Sequence, residues 1–390
     1  MFLDQPIRRV LLCQVGLTLL LGWGQALAAI PIQHWTQPSG AKVYLVESPA
    51  LPMVDVRIDF DAGGRRDPAE QAGMAGITAG MTSKGITAAK NGTGSVTPYP
   101  QALDENQLGE AWADLGAGFD GGAGSDRMSF TLRSLTYADI LPKAVQLAAR
   151  QLGEPAFPEA IWQRERQRFA AAIREANTRP GTVVGKAYAH AVYGKHPYGY
   201  ETTEATLERV GVQDMRQMYQ RLVSPCRAKV SLVGAVTRAE ADALVATLLS
   251  RLPAATAGGC EPLPPVAEVE PLAAPLVRDI PFASAQAHVL IGQPGYKRSD
   301  PDHFALLVGN YTLGSGGFVS RLTQEVREKR GLSYSVSSHF APGLHAGAFT
   351  VGLQTRPDQT AQAVQVAQEV VARFVSEGPT EAELRRPRTT

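Results

Sequence analysis

The chain has 390 residues, of which 44% are apolar and 19% are charged, and its formal net charge is +1. This length is too great for one ordinary hydrophobic core and fits two domains. The near-neutral charge, with no basic stripe and no acidic tail, argues against a nucleic-acid-binding protein and against a disordered chain.

The N-terminus has the layout of a secretory signal peptide. Arg8 and Arg9 precede an apolar run over residues 10–23, and a small-x-small triplet follows at 26–28. A basic end, a short apolar middle and small residues at the cleavage site are typical of export signals. We therefore predict a signal peptide at 1–28, export to the periplasm and no stable membrane insertion after cleavage. A permanent N-terminal anchor is the alternative.

The region 31–252 reads as one domain of strands and helices. Apolar residues alternate with polar ones from Val54 to Phe60 and again from Met128 to Leu132, which predicts two half-buried strands. Further strands are predicted over 41–47 and 227–236, and helices over 70–83, 138–152, 158–177 and 238–252. The glycine-rich stretch 116–125 is interpreted as a connection between a helix and a strand.

A proline-rich and alanine-rich linker over 253–275 separates this domain from a second one, 276–390. Strands are predicted there over 287–292, 332–340 and 347–354, and helices over 301–313, 318–329 and 358–376. One stretch nearly repeats: Lys-Ala-Val-Gln-Leu-Ala at 143–148 and Gln-Ala-Val-Gln-Val-Ala at 362–367. The recurring order of elements predicts a duplicated domain.

The second domain is predicted to be incomplete. Past the repeated stretch, the first half continues from residue 148 to the linker at 253, whereas the second half continues only from 367 to 390. A helix, a strand and a final helix would be missing, and Pro387 stands where a helix should begin.

Two segments carry a family resemblance. The first, at 73–85, is Gly-Met-Ala-Gly-Ile-Thr-Ala-Gly-Met-Thr-Ser-Lys-Gly, and the second, at 313–336, begins Leu-Gly-Ser-Gly-Gly-Phe-Val-Ser-Arg-Leu. Together with 195–199 and 233–235 they resemble the pitrilysin/insulinase family of zinc peptidases, the inverzincins. The resemblance implies an α+β fold of two homologous insulinase-like domains, each a mostly antiparallel sheet packed with helices, that form a clamshell.

The zinc motif of that family is absent here. Active members carry H-x-x-E-H on a helix, in which two histidines bind zinc and the glutamate acts as general base. This chain has Gly76, Ala79 and Gly80 at those positions. The third ligand, a glutamate in the family, falls at Ala172, with Glu165 and Glu175 left open as alternative registers. No two of the seven histidines stand four residues apart, so we expect this chain to bind no metal.

The resemblance also implies a retained pair of functional side chains. In the family, an arginine and a tyrosine seven residues apart reach the zinc site of the opposite half, and Arg327 and Tyr334 have that spacing. Arginine offers fixed donors to a substrate carbonyl, and a tyrosine hydroxyl can stabilise an oxyanion. The alternative is a surface arginine and a tyrosine in the core.

Two smaller features complete the candidate residues. Gly314, Gly316 and Gly317 form a tight loop before a helix, which either shapes the wall of a substrate chamber or only turns the chain. Cys226 and Cys260 remain after signal cleavage, and in an oxidising compartment we predict that they form a disulfide. Two separate buried thiols are the alternative.

These features favour a non-catalytic, peptide-binding partner subunit of a heterodimeric exported zinc metallopeptidase. The zinc would be bound by a paralogue that carries the motif, and this chain would lend Arg327 and Tyr334 to hydrolyse peptides. A metal-free peptide-binding or assembly protein, holding peptide by strand addition, is the alternative from a different class. A degenerate product with an unstable second domain is the third reading.

Overall fold

The computed structural model describes residues 30–89, 98–253 and 260–385. The predicted signal peptide at 1–28, part of the predicted linker and the final residues 386–390 lie outside these ranges. Within the described ranges, no helix has the length and apolar character needed to cross a membrane.

The N-terminal domain is built on a six-stranded sheet with the strand order β1-β2-β8-β3-β7-β6. Neighbouring strands are antiparallel except β2 and β8, which are parallel. Its strands are β1 Gln33–Thr36, β2 Lys42–Glu47, β3 Met53–Phe60, β6 Gly118–Ala123, β7 Met128–Leu135 and β8 Lys229–Gly234, with β4 Gly85–Ile86 and β5 Leu103–Asp104 in a separate pair. Its helices are α1 Met74–Met81, α2 Glu105–Asp114, α3 Leu141–Gly153, α4 Glu159–Ala176, α5 Pro180–Tyr193, α6 Glu204–Glu208, α7 Val212–Leu222 and α8 Arg238–Leu249.

The alternating pattern of β3 explains why this strand lies at the centre of the sheet. Val54, Val56 and Ile58 are fully buried and face the helix layer. Side chains on the opposite face are polar, as in the ion pair between Asp55 and Arg133 on β7, whose Oδ1 and Nε atoms are 2.6 Å apart. One apolar face and one polar face are the signature of a sheet covered by helices on one side only.

The prediction for residues 116–125 was wrong: they contain the edge strand β6 rather than a simple connection. Glycine has low strand propensity, so no strand pattern is visible in this stretch. The strand forms because β6 pairs along its length with β7. Gly121 is required at its place, since a Cβ there would lie 2.7 Å from the Phe130 ring and 3.0 Å from the Ala79 carbonyl oxygen.

The C-terminal domain repeats part of this architecture with a three-stranded sheet in the order β10-β11-β9. In both domains a strand is followed by helical segments, a two-stranded hairpin and a long helix. By this order, β9 corresponds to β3, β10 and β11 correspond to β6 and β7, and the last long helix corresponds to α3. These elements are β9 Ala287–Pro294, α9 His303–Asn310, β10 Ser335–Phe340, β11 Ala348–Thr355, α10 Thr360–Glu377 and α11 Glu381–Arg385. The repeated sequence stretches lie on α3 and α10. The predicted α+β class with mostly antiparallel sheets is confirmed.

The corresponding strands β3 and β9 differ in their neighbours. β3 is flanked by β7 and β8, whereas β9 pairs only with β11 among the described residues. Beside it lies an open apolar groove of about 1310 Å³, whose rim includes the exposed side chains of Phe304 and Val375. In the first domain, β8 pairs with the corresponding strand and α8 packs against α3, which corresponds to α10.

Helix α5, which the sequence analysis did not predict, joins the two domains. The Tyr188 hydroxyl donates to the Phe349 carbonyl oxygen at 2.8 Å, and the Ala348 N–H donates to the Tyr193 hydroxyl at 2.9 Å. Both bonds end on β11, so the helix holds the first domain against the second sheet.

The predicted helix over 318–329 is not a single α-helix. It begins as a 3-10 turn, Gly317–Val319, and continues as a π-helical segment, Thr323–Glu328. Cys226 and Cys260 form a disulfide that joins the start of β8 to the linker.

Candidate functional site

The helix that corresponds to the zinc motif, α1, begins at a glycine that no other residue can replace easily. Gly73 has φ of 98°, a left-handed conformation that favours glycine, and a Cβ there would lie 2.5 Å from the Thr202 hydroxyl. The buried Asp67 carboxylate accepts from the N–H groups of Gly73 and Ala75, each at 3.0 Å. Burial raises the pKa of Asp67 to about 7, although these N–H groups favour the charged form.

On this helix the two former histidine positions face open space. Gly76 and Gly80 are exposed, and a Cβ at either position would have no other heavy atom within 4 Å. Ala79, at the former glutamate position, is fully buried. The helix therefore presents a bare surface where an active relative presents ligands, and neither glycine nor alanine offers an atom that can bind zinc or activate water. These residues do not fit a zinc ion.

The candidate position for the third ligand lies on α4. Ala172 is exposed, and Glu175 is also exposed and pairs with Arg179. Glu165 is buried and is held by Arg164, at 3.1 Å between Nη2 and Oε1, and by Arg168. Both alternative glutamates are thus engaged by arginines. Over the three described ranges, no group of three or more His, Cys, Asp or Glu side chains is placed to hold a metal ion.

Arg327 and Tyr334 lie together on the surface of the second domain. The Arg327 guanidinium carbon is 4.6 Å from the centre of the Tyr334 ring and 4.7 Å from the centre of the Phe318 ring. Tyr334 is 81% exposed, so the alternative that it fills the core is wrong. Cation–π attraction holds the guanidinium against both rings, and its Nε also lies 3.3 Å from Glu328 Oε1. Its other N–H groups can donate hydrogen bonds to a ligand.

The structure gives the glycines of the 314–317 loop different roles. A Cβ at Gly314 would lie 2.3 Å from the Ser338 hydroxyl, and one at Gly316 would lie 2.5 Å from the Tyr311 carbonyl oxygen, so both allow close packing. Gly317 has φ of 60°, which turns the chain at a position where a Cβ would meet open space. The turn places Phe318 against Arg327.

Two parts of the candidate site were missed by the sequence analysis. Phe318 directly follows Gly316 and Gly317. An aromatic residue immediately after a glycine turn was a signal in the sequence that this side chain is exposed. The open edge of β6 was missed because no strand was predicted there. Among the described residues, β6 is the last strand of its sheet and packs beside α1, so a backbone edge without a strand partner there runs next to the bare glycine face.

Comparisons with known proteins identify the family. A solved structure of a peptidase M16 inactive domain from Pseudomonas fluorescens is 31% identical, with a TM-score of 0.82 over 90% of this chain and 81% of that chain. The chain belongs to the M16 peptidase family. The family described as the peptidase M16 inactive domain matches residues 209–390. The family predicted from the two glycine-rich segments is therefore confirmed.

Relatives of this M16 protein carry two kinds of description. One named an uncharacterized zinc protease, from Streptomyces coelicolor, is 29% identical over 82% of this chain and 71% of its own length. One named a non-peptidase homolog, from Helicobacter pylori, is 24% identical over 94% of this chain and 81% of its own length. The present chain is an inactive member of the family, because its zinc helix lacks every ligand.

Proposed function

We propose that this protein is an exported, non-catalytic subunit that binds peptide and completes a zinc peptidase formed with a zinc-bearing paralogue. The observation that carries the proposal is the contrast between two surfaces. The zinc helix has lost its ligands at Gly76 and Gly80, whereas Arg327 and Tyr334 are held together on an exposed surface. Their exposure leaves the pair accessible to a peptide and to a second subunit.

The chemistry of the pair suits this role. In the complex, zinc would be bound by the partner and would supply the activated water. Arg327 would donate to a backbone carbonyl of the peptide, and the Tyr334 hydroxyl would donate to the oxygen that gains charge in the transition state. The Phe318 ring would keep the guanidinium oriented while it binds. The basic and apolar N-terminal segment, residues 8–28, supports export to the periplasm.

A peptidase assay tests this proposal. The mature chain is incubated with zinc and a quenched peptide library, alone and with a zinc-motif paralogue from the same source. We expect cleavage only in the mixture, and a fall of at least about 100-fold with Arg327→Ala or Tyr334→Phe, as for loss of one oxyanion donor. Matched controls are Arg330→Ala, from the turn that follows the helical segment of Arg327, and Tyr137→Phe, an exposed tyrosine of the first domain. Zinc-dependent cleavage by the chain alone would sink the proposal.

A second function is favoured by the open edge of β6. Gly124 and Arg127 form a hydrogen-bonded pair, and because such pairs alternate along an antiparallel ladder, the N–H groups of Gly121 and Ala123 point away from β7. A peptide added as a strand would bind these groups without any partner subunit.

Peptide binding by the isolated chain separates the two functions. Ala123→Pro removes one outward N–H at an edge position where proline is tolerated, and Ala123→Val keeps it. Fluorescence anisotropy measures the binding of labelled peptides to each variant. If peptides bind the chain, Ala123→Pro weakens this binding and no paralogue yields cleavage in the peptidase assay, the chain is better described as a metal-free binding protein.

A further inference from the structure

The contact between the two domains contains a compact cluster of titratable side chains that the proposed function does not use. We call it the junction cluster and define it by five residues: Asp126, His196, Tyr198, Glu268 and His345. They come from four parts of the chain, namely the β6–β7 turn, the segment after α5, the linker and the β10–β11 turn. Both imidazoles are buried, at 6% exposure for His196 and 8% for His345.

Two hydrogen bonds cross the domain boundary, and a third joins their acceptors within the first domain. The Tyr198 hydroxyl donates to Asp126 Oδ1 at 2.6 Å, the Leu344 N–H donates to Asp126 Oδ2 at 2.9 Å, and the His345 N–H donates to the Tyr198 hydroxyl at 3.2 Å. The two domains approach closely here, since a Cβ at Gly343 would lie 2.4 Å from the Tyr198 hydroxyl. The β10–β11 turn therefore docks on the first domain through one tyrosine and one aspartate.

The two histidines sit directly beside this connection. Their ring centres are 5.1 Å apart, and the His196 ring centre is 4.7 Å from that of Tyr198. The Tyr198 N–H donates to His196 Nδ1 at 3.1 Å, and His345 Nδ1 lies 3.1 Å from Glu268 Oε2. Protonation of the His196 ring would place a positive charge in a buried site about 5 Å from the His345 ring, where electrostatic interactions are weakly screened.

We propose that the junction cluster is a pH-sensitive latch that holds the two domains together at neutral pH and loosens when His196 becomes protonated.

The charges that face the latch decide the sign of the effect. Burial first, and His345 second, lower the pKa of His196, whereas the Ala267 carbonyl, Glu268 and Asp126 favour the protonated ring. Lys297 pairs with Glu268 at 2.6 Å and Arg65 pairs with Asp126 at 3.2 Å, which reduces the attraction of these carboxylates for an added proton. Nearby Tyr193 and Tyr198 are neutral phenols whose pKa values are raised by burial.

The direction of the pH dependence follows from linkage. Because the pKa of His196 is below its ordinary value of 6.5, the closed junction binds a proton less tightly than the opened one. The stabilisation of the closed junction is fully present above the ordinary histidine pKa of 6.5. It is lost as the pH falls through the lowered pKa of His196 in the closed junction. Acidification therefore opens the junction.

Hydrogen exchange measured by mass spectrometry tests the latch on the full mature chain. The peptide that spans residues 341–347 reports the Leu344 and His345 amides, and a peptide from β7 serves as the internal reference for global opening. We expect protection of the first peptide, corrected for the intrinsic pH dependence of exchange, to fall at least about tenfold between about pH 7.5 and about pH 5, while β7 remains protected.

Substitutions identify the groups responsible. His196→Asn keeps an acceptor for the Tyr198 N–H but cannot carry the charge, so its junction should be equally protected at both pH values. His345→Gln removes a neighbour that lowers the pKa of His196, so it should reduce the response, and it decides the matter if the first variant does not fold. His190→Asn changes an exposed histidine on α5 and should behave as the unsubstituted chain does. Unchanged protection in the original chain, or an undiminished response in both junction variants, overturns the latch.

Discussion

Strands β3 and β9 have the same place in the repeated order of elements, but their neighbours in space differ. β3 is paired on both sides, and three of its apolar side chains are fully buried. β9 is paired on one side within the described residues, and almost all of its side chains are only half-buried. The difference comes from one strand–helix unit, β8 and α8, which the first domain has and the described part of the second lacks.

The comparison shows how strongly one strand can decide the state of its neighbours. In the first sheet, β8 pairs with β3 on one side and with β2 on the other. In the second domain, the segment 276–286 precedes β9 without joining the sheet, and Leu276 and Val277 are exposed. Among the described residues, no strand equivalent to β8 lies between this segment and β9, so nothing pairs with both of them. Four predictions test how far this difference extends to stability.

The largest expected difference concerns two phenylalanines on corresponding hairpins. Phe130 is fully buried in the first core, so Phe130→Ala should cost about 3–5 kcal/mol of local stability. Phe349 lines the open groove, so Phe349→Ala should cost only about 1 kcal/mol. Hydrogen exchange of β7 and β11 measures both. Equal losses would show that the second core is as well covered as the first.

The buried ion pairs should show the next largest difference. Glu154 binds Arg150 at 2.8 Å and Arg251 at 2.9 Å, and all three side chains are buried. Glu154→Gln removes the carboxylate charge that lies between two buried arginines and should cost about 3–5 kcal/mol. In the second domain, the pair of Arg321 and Glu383 is partly exposed, so Glu383→Gln should cost about 1 kcal/mol. Thermal unfolding compares the two, with Glu381→Gln as the exposed control.

A pH titration sharpens this contrast for the second domain. The Arg321 guanidinium, with help from the Thr380 N–H and hydroxyl, lowers the pKa of Glu383 to about 2. The stabilisation from Glu383 should therefore be fully present above pH 4.5 and lost as the pH falls toward 2. Exchange of the α11 amides should increase over this window. The Glu383→Gln variant should lack that increase, and a parallel acid response in both proteins would contradict the assignment.

The smallest effect on stability concerns the rim of the groove. Phe304 and Val375 are 72% and 78% exposed, and contiguous apolar surface promotes association. The double substitution Phe304→Lys and Val375→Lys should reduce self-association in sedimentation velocity while changing stability by less than about 0.5 kcal/mol. Tyr137→Lys, on the first domain, should leave association unchanged. If all three proteins sediment alike, the groove does not drive association.

Sequence reasoning succeeded where local pattern and chemistry decide the outcome. The alternation in β3 and β7 predicted strands because one face of each is buried. The loss of the zinc site could be predicted from three residues, since the side chains of Gly76, Ala79 and Gly80 have no atom that can coordinate a metal in any fold. The family resemblance singled out Arg327 and Tyr334 as a pair, and the structure places them in contact through a cation–π geometry, while their joint action stays a prediction.

Only the tertiary structure decided what depends on pairing between distant segments. β6 has too many glycines to signal a strand, and it became one because β7 lies beside it. The junction cluster could not be found in the sequence, because Asp126, His196 and His345 are far apart along the chain and meet only where the domains touch. The sequence by itself determined which chemistry this protein has lost, since that is a property of side chains. The fold determined which edges, pairs and buried charges remain available, since those are properties of neighbours in space.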